Sequence, residues 1–135
     1  MKTVVFACVH NAGRSQMAAA FFNALADPAK ARAISAGTRP AERVHPEVVA
    51  VMREAGIDLS GMNPALLTKE RAQGAALLVT MGCGEECPVI PGARTEDWPL
   101  EDPKSRSPER VREIRDEIRG RVVRLLEASG WSMKP

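Results

Sequence analysis

Apolar residues in this chain fall into short unbroken runs and helical stripes, and the two alternate along its length. Thr3-Val4-Val5-Phe6-Ala7 has little polar interruption, the pattern of a central parallel strand covered on both faces. The turn Asn11-Ala12-Gly13 follows. Met17, Phe21, Phe22 and Leu25 then recur at helical spacing, which predicts a helix over residues 15–25 that Asp27-Pro28 ends. Residues 31–36 form a second strand candidate, closed by Gly37. Pro46 suits the first turn of another helix, with His45 as its cap, Val48, Met52 and Ala55 on one face, and Gly56 as its stop. A short helix is expected over residues 66–71 and a nearly continuous apolar strand over residues 75–80. Residues 82–105 are rich in loop formers, with room for one short strand near Arg94. Ser107-Pro108 starts a long helix that carries Val111, Ile114, Ile118, Val122 and Leu125 on one stripe and ends at Gly130.

Strands alternating with helices predict an α/β fold, a parallel sheet with helices on both faces. Ligands of such sheets bind beyond the C-terminal ends of the strands. The first strand ends at Cys8 and the strand over residues 75–80 ends just before Cys83, so two distant cysteines are expected at one edge.

The length of 135 residues fits a single domain over 1–135. The net charge of +2 leaves no electrostatic footprint for nucleic acid or membrane binding. Three Phe, two Trp and no Tyr provide few stacking platforms for single strands. The apolar start is too short for a signal core, and no run reaches membrane-spanning length, so a cytoplasmic protein is expected. Structural disulfides are rare in that compartment. Three cysteines therefore suggest a metal site, a reactive thiol or inert packing.

The segment Cys8-Val9-His10-Asn11-Ala12-Gly13-Arg14-Ser15 separates a Cys from an Arg by five residues, between a strand and a helix. A loop curling between such elements turns its N–H groups inward as an anion nest, and the next helix adds its N-terminal amides and partial positive charge. Arg14 can grip two oxygens with its planar fork. In that field Cys8 is favoured as the thiolate, placed for in-line attack on a bound tetrahedral anion. Ser15 can donate to the sulfur, Asn11 tolerates left-handed backbone and can brace the loop, and Gly13 permits a tight bend. Val9, His10 and Ala12 complete the oxyanion-binding loop, with His10 either raising the local potential or facing solvent. A strand–turn–helix with an incidental buried cysteine is the bland alternative.

Cys-x-x-Asn-x-x-Arg-Ser-Gln-Met-Ala after an N-terminal strand resembles the low-molecular-weight tyrosine phosphatase fold, in particular its arsenate reductase branch. The resemblance takes in Ser35-Ala36-Gly37, Gly56-Ile57-Asp58-Leu59-Ser60, Val79-Thr80-Met81-Gly82-Cys83 and residues 97–103. It implies a four-stranded parallel sheet flanked by helices. It also implies a general acid at Asp102, which precedes Pro103, with Asp97 as the nearby competitor. Cys83 and Cys87 separate a reductase from a phosphatase, since two thiols can supply the two electrons that arsenic(V) needs. Zinc is a poorer reading of these cysteines, because it usually takes four ligands and neither histidine lies near the pair in sequence.

The resemblance implies attack of Cys8 on arsenate, then of Cys83 on Cys8, then of Cys87 on Cys83. Thioredoxin is the expected reductant, with glutaredoxin or a small thiol as alternatives, and no cofactor is expected. Some members of the family bind potassium beside the loop through carboxylates, but the matching positions here are Ala19 and Ala65. The competing readings are a phosphatase of phosphotyrosine or small phosphoesters, and a thiol sensor or binder without turnover.

Overall fold

The computed structural model describes residues 1–82 and 90–133. Strands β1 (Lys2–Cys8), β2 (Ala31–Gly37), β3 (Leu77–Thr80) and β4 (Arg94–Asp97) form one parallel sheet in the order β2-β1-β3-β4. The helices are α1 (Arg14–Leu25), α2 (Pro46–Glu54), α3 (Lys69–Ala72) and α4 (Pro108–Ser129). This is the single α/β domain that the alternating pattern predicts.

β1 lies inside the sheet, and its side chains divide the core by the two-residue period of a strand. Val4, Phe6 and Cys8 enter the larger cluster, whereas Val5 and Ala7 enter the smaller one. Both faces are therefore covered, which is why this strand reads as an unbroken apolar run. The larger cluster is closed by Met17, Phe21 and Phe22 of α1, Val48, Val51 and Met52 of α2, and the whole predicted stripe of α4. Phe6 sits at its centre, with ring centroids 6.0 Å from Phe22 and 5.5 Å from Trp98. The smaller cluster holds Leu67, Ala72, Ala75, Leu78 and Ile90. Helices thus flank both faces unequally, with α1, α2 and α4 on one side and α3 on the other.

Several boundaries differ from those read in the sequence. The expected helix over residues 66–71 is only Lys69–Ala72, because the chain before it docks on the end of β2. Gly37 donates its N–H to Ala65 O (2.8 Å) and accepts from Leu67 N–H (2.8 Å). Thr68 then caps the helix by accepting from Arg71 N–H at 3.0 Å. Ala55 is exposed as the C-cap of α2, and Val51 is buried in its place. His45 precedes α2 but makes no side-chain cap bond. Its N–H goes to Ala12 O at 2.9 Å and ties the helix start to the loop after β1. α4 keeps both expected ends: Ser107 Oγ accepts from Arg110 N–H at 3.3 Å, and Gly130 leaves the helix at φ 72°.

From β1 the chain crosses to β2 on one side, then returns past β1 to β3 on the other. The switch point therefore lies between the C-terminal ends of β1 and β3, the crevice where open α/β sheets bind ligands. Among the described residues, no helix is long and apolar enough to cross a membrane.

Candidate active site

The loop from Cys8 to Gly13 fills that crevice, and its shape is set by where its carbonyls go. Cys8 O accepts from Thr38 N–H (3.2 Å), Val9 O from Arg39 N–H (2.8 Å) and His10 O from Ala41 N–H (2.9 Å). Asn11 O accepts from Gln16 Nε2 (3.1 Å), Ala12 O from His45 N–H (2.9 Å) and Gly13 O from Met17 N–H (3.0 Å). Every carbonyl of the loop is thus satisfied by a donor outside the loop. Among the described residues, the N–H groups of Val9, His10, Asn11, Ala12 and Gly13 meet no such acceptor. With the carbonyls so engaged, these amides are left to serve as donors to an anion. The twelve-residue helix α1 begins at Arg14 and adds its positive end to the same place.

At the start of this loop lies the free thiol of Cys8, 2% exposed, with Ser15 Oγ 2.8 Å from its sulfur. Asn11 Nδ2 donates to Ser15 Oγ at 2.7 Å. Asn11 is left-handed at φ 51°, a conformation that asparagine tolerates better than most side chains. Its Oδ1 accepts from Ala65 N–H (2.9 Å) and Gln16 Nε2 (3.2 Å), so the expected bracing residue is tied to both α1 and the chain before α3. His10 and Val9 are both half-buried.

A further constraint comes from β2. A Cβ on Gly37 would stand 2.6 Å from Val9 O and 2.9 Å from Asn11 N. Only glycine lets the end of β2 approach the loop backbone so closely. The sequence pattern marks Gly37 merely as the end of a strand. Its close approach to a loop some 26 residues earlier in the chain becomes visible only once the two strands pair.

Arg14 is 8% exposed. Its Nη1 donates to Leu100 O at 3.1 Å, its Nη2 lies 3.8 Å from Asp102 Oδ2, and Gly82 lies against its guanidinium. The geometry thus distinguishes the two aspartates. Asp102 faces Arg14, whereas Asp97 Oδ1 accepts from Thr80 Oγ1 at 2.8 Å, across from its paired strand. The Asp102 segment is held on both sides. Pro103 packs over Gly13, where an added Cβ would meet its Cγ at 2.8 Å. Glu101 is gripped by Arg110 (2.8 Å) and Arg106 (3.1 Å), and its hydrogen bonds from Arg110 hold its carboxyl below the usual range. His45 stands near Gly13 and Asp102, and burial lowers its imidazole from the ordinary value of 6.5, partly opposed by Glu47 and Asp102.

Cys83 and Cys87 lie outside the described residues. Ala19 and Ala65 offer no carboxylate to a cation. Asn11 already spends both of its oxygens on protein donors. Among the described residues, there is no group of three or more His, Cys, Asp or Glu suited to a metal.

A buried cysteine at the end of β1 and a buried arginine at the start of α1, joined by one short loop at the switch point of a parallel sheet, define the class as single-domain α/β proteins with a cysteine–loop–arginine crevice. The model of the low molecular weight phosphotyrosine protein phosphatase family matches residues 3–130, and the chain belongs to that family. A Halobacterium salinarum protein whose name ascribes arsenate reduction to it is 41% identical over 128 residues, covering 90% of this chain and 89% of that protein. The glutaredoxin arsenate reductase of a Synechocystis strain is 36% identical over 129 residues, covering 93% and 97%. A solved thioredoxin-dependent arsenate reductase of Corynebacterium glutamicum superposes with a TM-score of 0.82 at 38% identity, over 95% of this chain. The present chain spans only 61% of that longer one. A low molecular weight protein tyrosine phosphatase from T. tengcongensis has the same TM-score of 0.82 at 26% identity, covering 95% and 99%.

Proposed function

We propose that this chain reduces arsenate to arsenite, taking the oxyanion on Cys8 and passing two electrons through Cys83 and Cys87. The observation that carries the reading is the buried Cys8 thiol, hydrogen-bonded to Ser15, at the start of a loop whose carbonyls are all engaged and which ends at the buried Arg14. The cysteine pair late in the chain and the names of the relatives favour reduction over ester hydrolysis.

In the first step the Cys8 thiolate forms an S–As bond and an As–O bond breaks, the oxygen leaving as water with a proton from Asp102. Asp102 suits that role better than Asp97, because it faces Arg14 while Asp97 is engaged by Thr80. In the second step the Cys83 thiolate attacks the Cys8 sulfur. The S–As electron pair stays on arsenic, which leaves as arsenite, and the two sulfurs become a disulfide. Cys87 then attacks Cys83, freeing Cys8 as thiolate and moving the disulfide to the 83–87 segment. A cytoplasmic dithiol, thioredoxin or glutaredoxin, reduces that bridge and resets the enzyme.

The test is arsenite release from protein carrying single Cys→Ser changes, with non-reduced peptides mapped by mass spectrometry. Cys8→Ser should release none. Cys87→Ser should release one arsenite per chain and stop with Cys8 bonded to Cys83. Cys83→Ser should release none. Vigorous phosphoester hydrolysis without arsenite release would replace this reading with the phosphatase one.

A further inference from the structure

Gln16 occupies the third position of α1 and is 2% exposed. A buried carboxamide is costly unless its polar atoms are satisfied. Its Nε2 lies 3.1 Å from Asn11 O, 3.2 Å from Asn11 Oδ1 and 3.4 Å from Asn63 O. Two of these three acceptors belong to one residue, the left-handed Asn11 of the oxyanion loop.

We infer that Gln16 is a positioning residue for Cys8, acting through Asn11 and Ser15. Ala65 N–H can only donate, so the atom of Asn11 that faces it must be the carbonyl oxygen. Gln16 donates to the same oxygen and fixes the same orientation. The Asn11 NH2 is then turned toward Ser15 Oγ at 2.7 Å. With its oxygen accepting from Asn11, Ser15 keeps its single hydrogen for the sulfur, 2.8 Å away. The chain of donors runs one way, from α1 to the thiolate.

Removing the Gln16 donor leaves Asn11 O without its partner among the described residues and Asn11 Oδ1 held by Ala65 alone. A reversed carboxamide would offer its oxygen to Ser15 and draw the hydroxyl hydrogen away from Cys8. Among the described residues, the other charged and titratable groups on this loop and beside it are His10, Arg14, His45 and Asp102. None of these is changed by substitution at Gln16. The inference rests on Cys8 as the nucleophile, not on arsenate as the substrate.

The experiment uses full-length protein carrying Cys83→Ser and Cys87→Ser, in which Cys8 is the only remaining thiol. Its alkylation by iodoacetamide is followed by mass across pH. In this background Gln16→Met, close in length but without a donor, should slow alkylation about tenfold near pH 6, since a hydrogen bond to a charged group is worth roughly one such factor or more. The difference between the two rates should shrink as pH rises. Ser15→Ala should produce a similar loss, and adding Gln16→Met to it should change little, because both act on one donor. Gln16→Leu provides a second variant if Gln16→Met folds poorly. An unaltered pH profile in a folded Gln16 variant, or independent effects of the Ser15 and Gln16 changes, would overturn the inference. Arsenite release is read separately in the three-cysteine protein. Its absence there, with the alkylation pattern as expected, would sink the arsenate reading and leave the role of Gln16 standing.

Discussion

Gly37→Ala isolates how far the backbone of the oxyanion loop depends on a neighbouring strand. The added Cβ would stand 2.6 Å from Val9 O, 2.9 Å from Asn11 N and 3.0 Å from Asn11 Cβ. Two of these are main-chain atoms, which cannot rotate away as a side-chain tip can. Ordinary van der Waals contact begins near 3.4 Å, so the loop or the end of β2 must give by about 0.8 Å. Overpacking of this kind costs about 1–3 kcal/mol. With an unfolding entropy of roughly 2.1 cal/mol/K per residue over 135 residues, that is a fall in Tm of about 4–10 °C. The effect on function should be larger. Displacing reacting groups by about 1 Å can cost on the order of a hundredfold, and here the displaced atoms include the Asn11 amide of the loop. Phosphate affinity, by calorimetry, and single-turnover arsenite release should both fall by roughly ten- to a hundredfold in a protein that still unfolds cooperatively. The reasoning fails if a folded Gly37→Ala protein keeps both within about twofold of the parent.

Arg14→Lys should lose most turnover, because a point charge cannot reproduce a fork that also reaches Leu100 O and Asp102; near-normal arsenite release would show that the two-pronged grip is dispensable. His45 has its imidazole lowered by burial, so below about pH 6.5 the unfolded chain binds the proton more readily. Its stabilising contribution is therefore complete above that pH and is lost as pH falls toward the lowered folded value. His45→Gln should flatten the slope of Tm against pH in this window, while the lowered carboxyls Glu54, Asp58 and Glu101 act only at more acid pH. Exchanging sodium for potassium should change neither activity nor Tm, since Ala19 and Ala65 supply no carboxylate and Asn11 has already spent its oxygens. A potassium-specific rise in either would refute this.

The fold was largely legible because its signals are local. β1 reads as an apolar run because both of its faces are covered, and α4 reads as a stripe because one face packs on the core while Ser107 and Gly130 supply its ends. The loop that joins Cys8 to Arg14 was legible for a similar reason. Cys8 and Arg14 are fixed by one strand, one short loop and one helix start, so their relation is written within eight residues.

What the linear pattern could not contain was the set of contacts made across the sheet. Thr38, Arg39, Ala41 and His45, all beyond β2, engage four of the loop's carbonyls. The choice between Asp97 and Asp102 depends on Thr80 and Arg14, which lie at least 17 residues away in the chain. The helix predicted over residues 66–71 shortened because the end of β2 competes for the backbone at Ala65 and Leu67. Gln16 stands in the sequence only as one letter of the motif, and its bonds to the two oxygens of the left-handed Asn11 belong to the folded loop. Propensity and periodicity act between neighbours in sequence. Hydrogen-bond direction and steric room in this site are decided between segments that meet only after the parallel strands have paired.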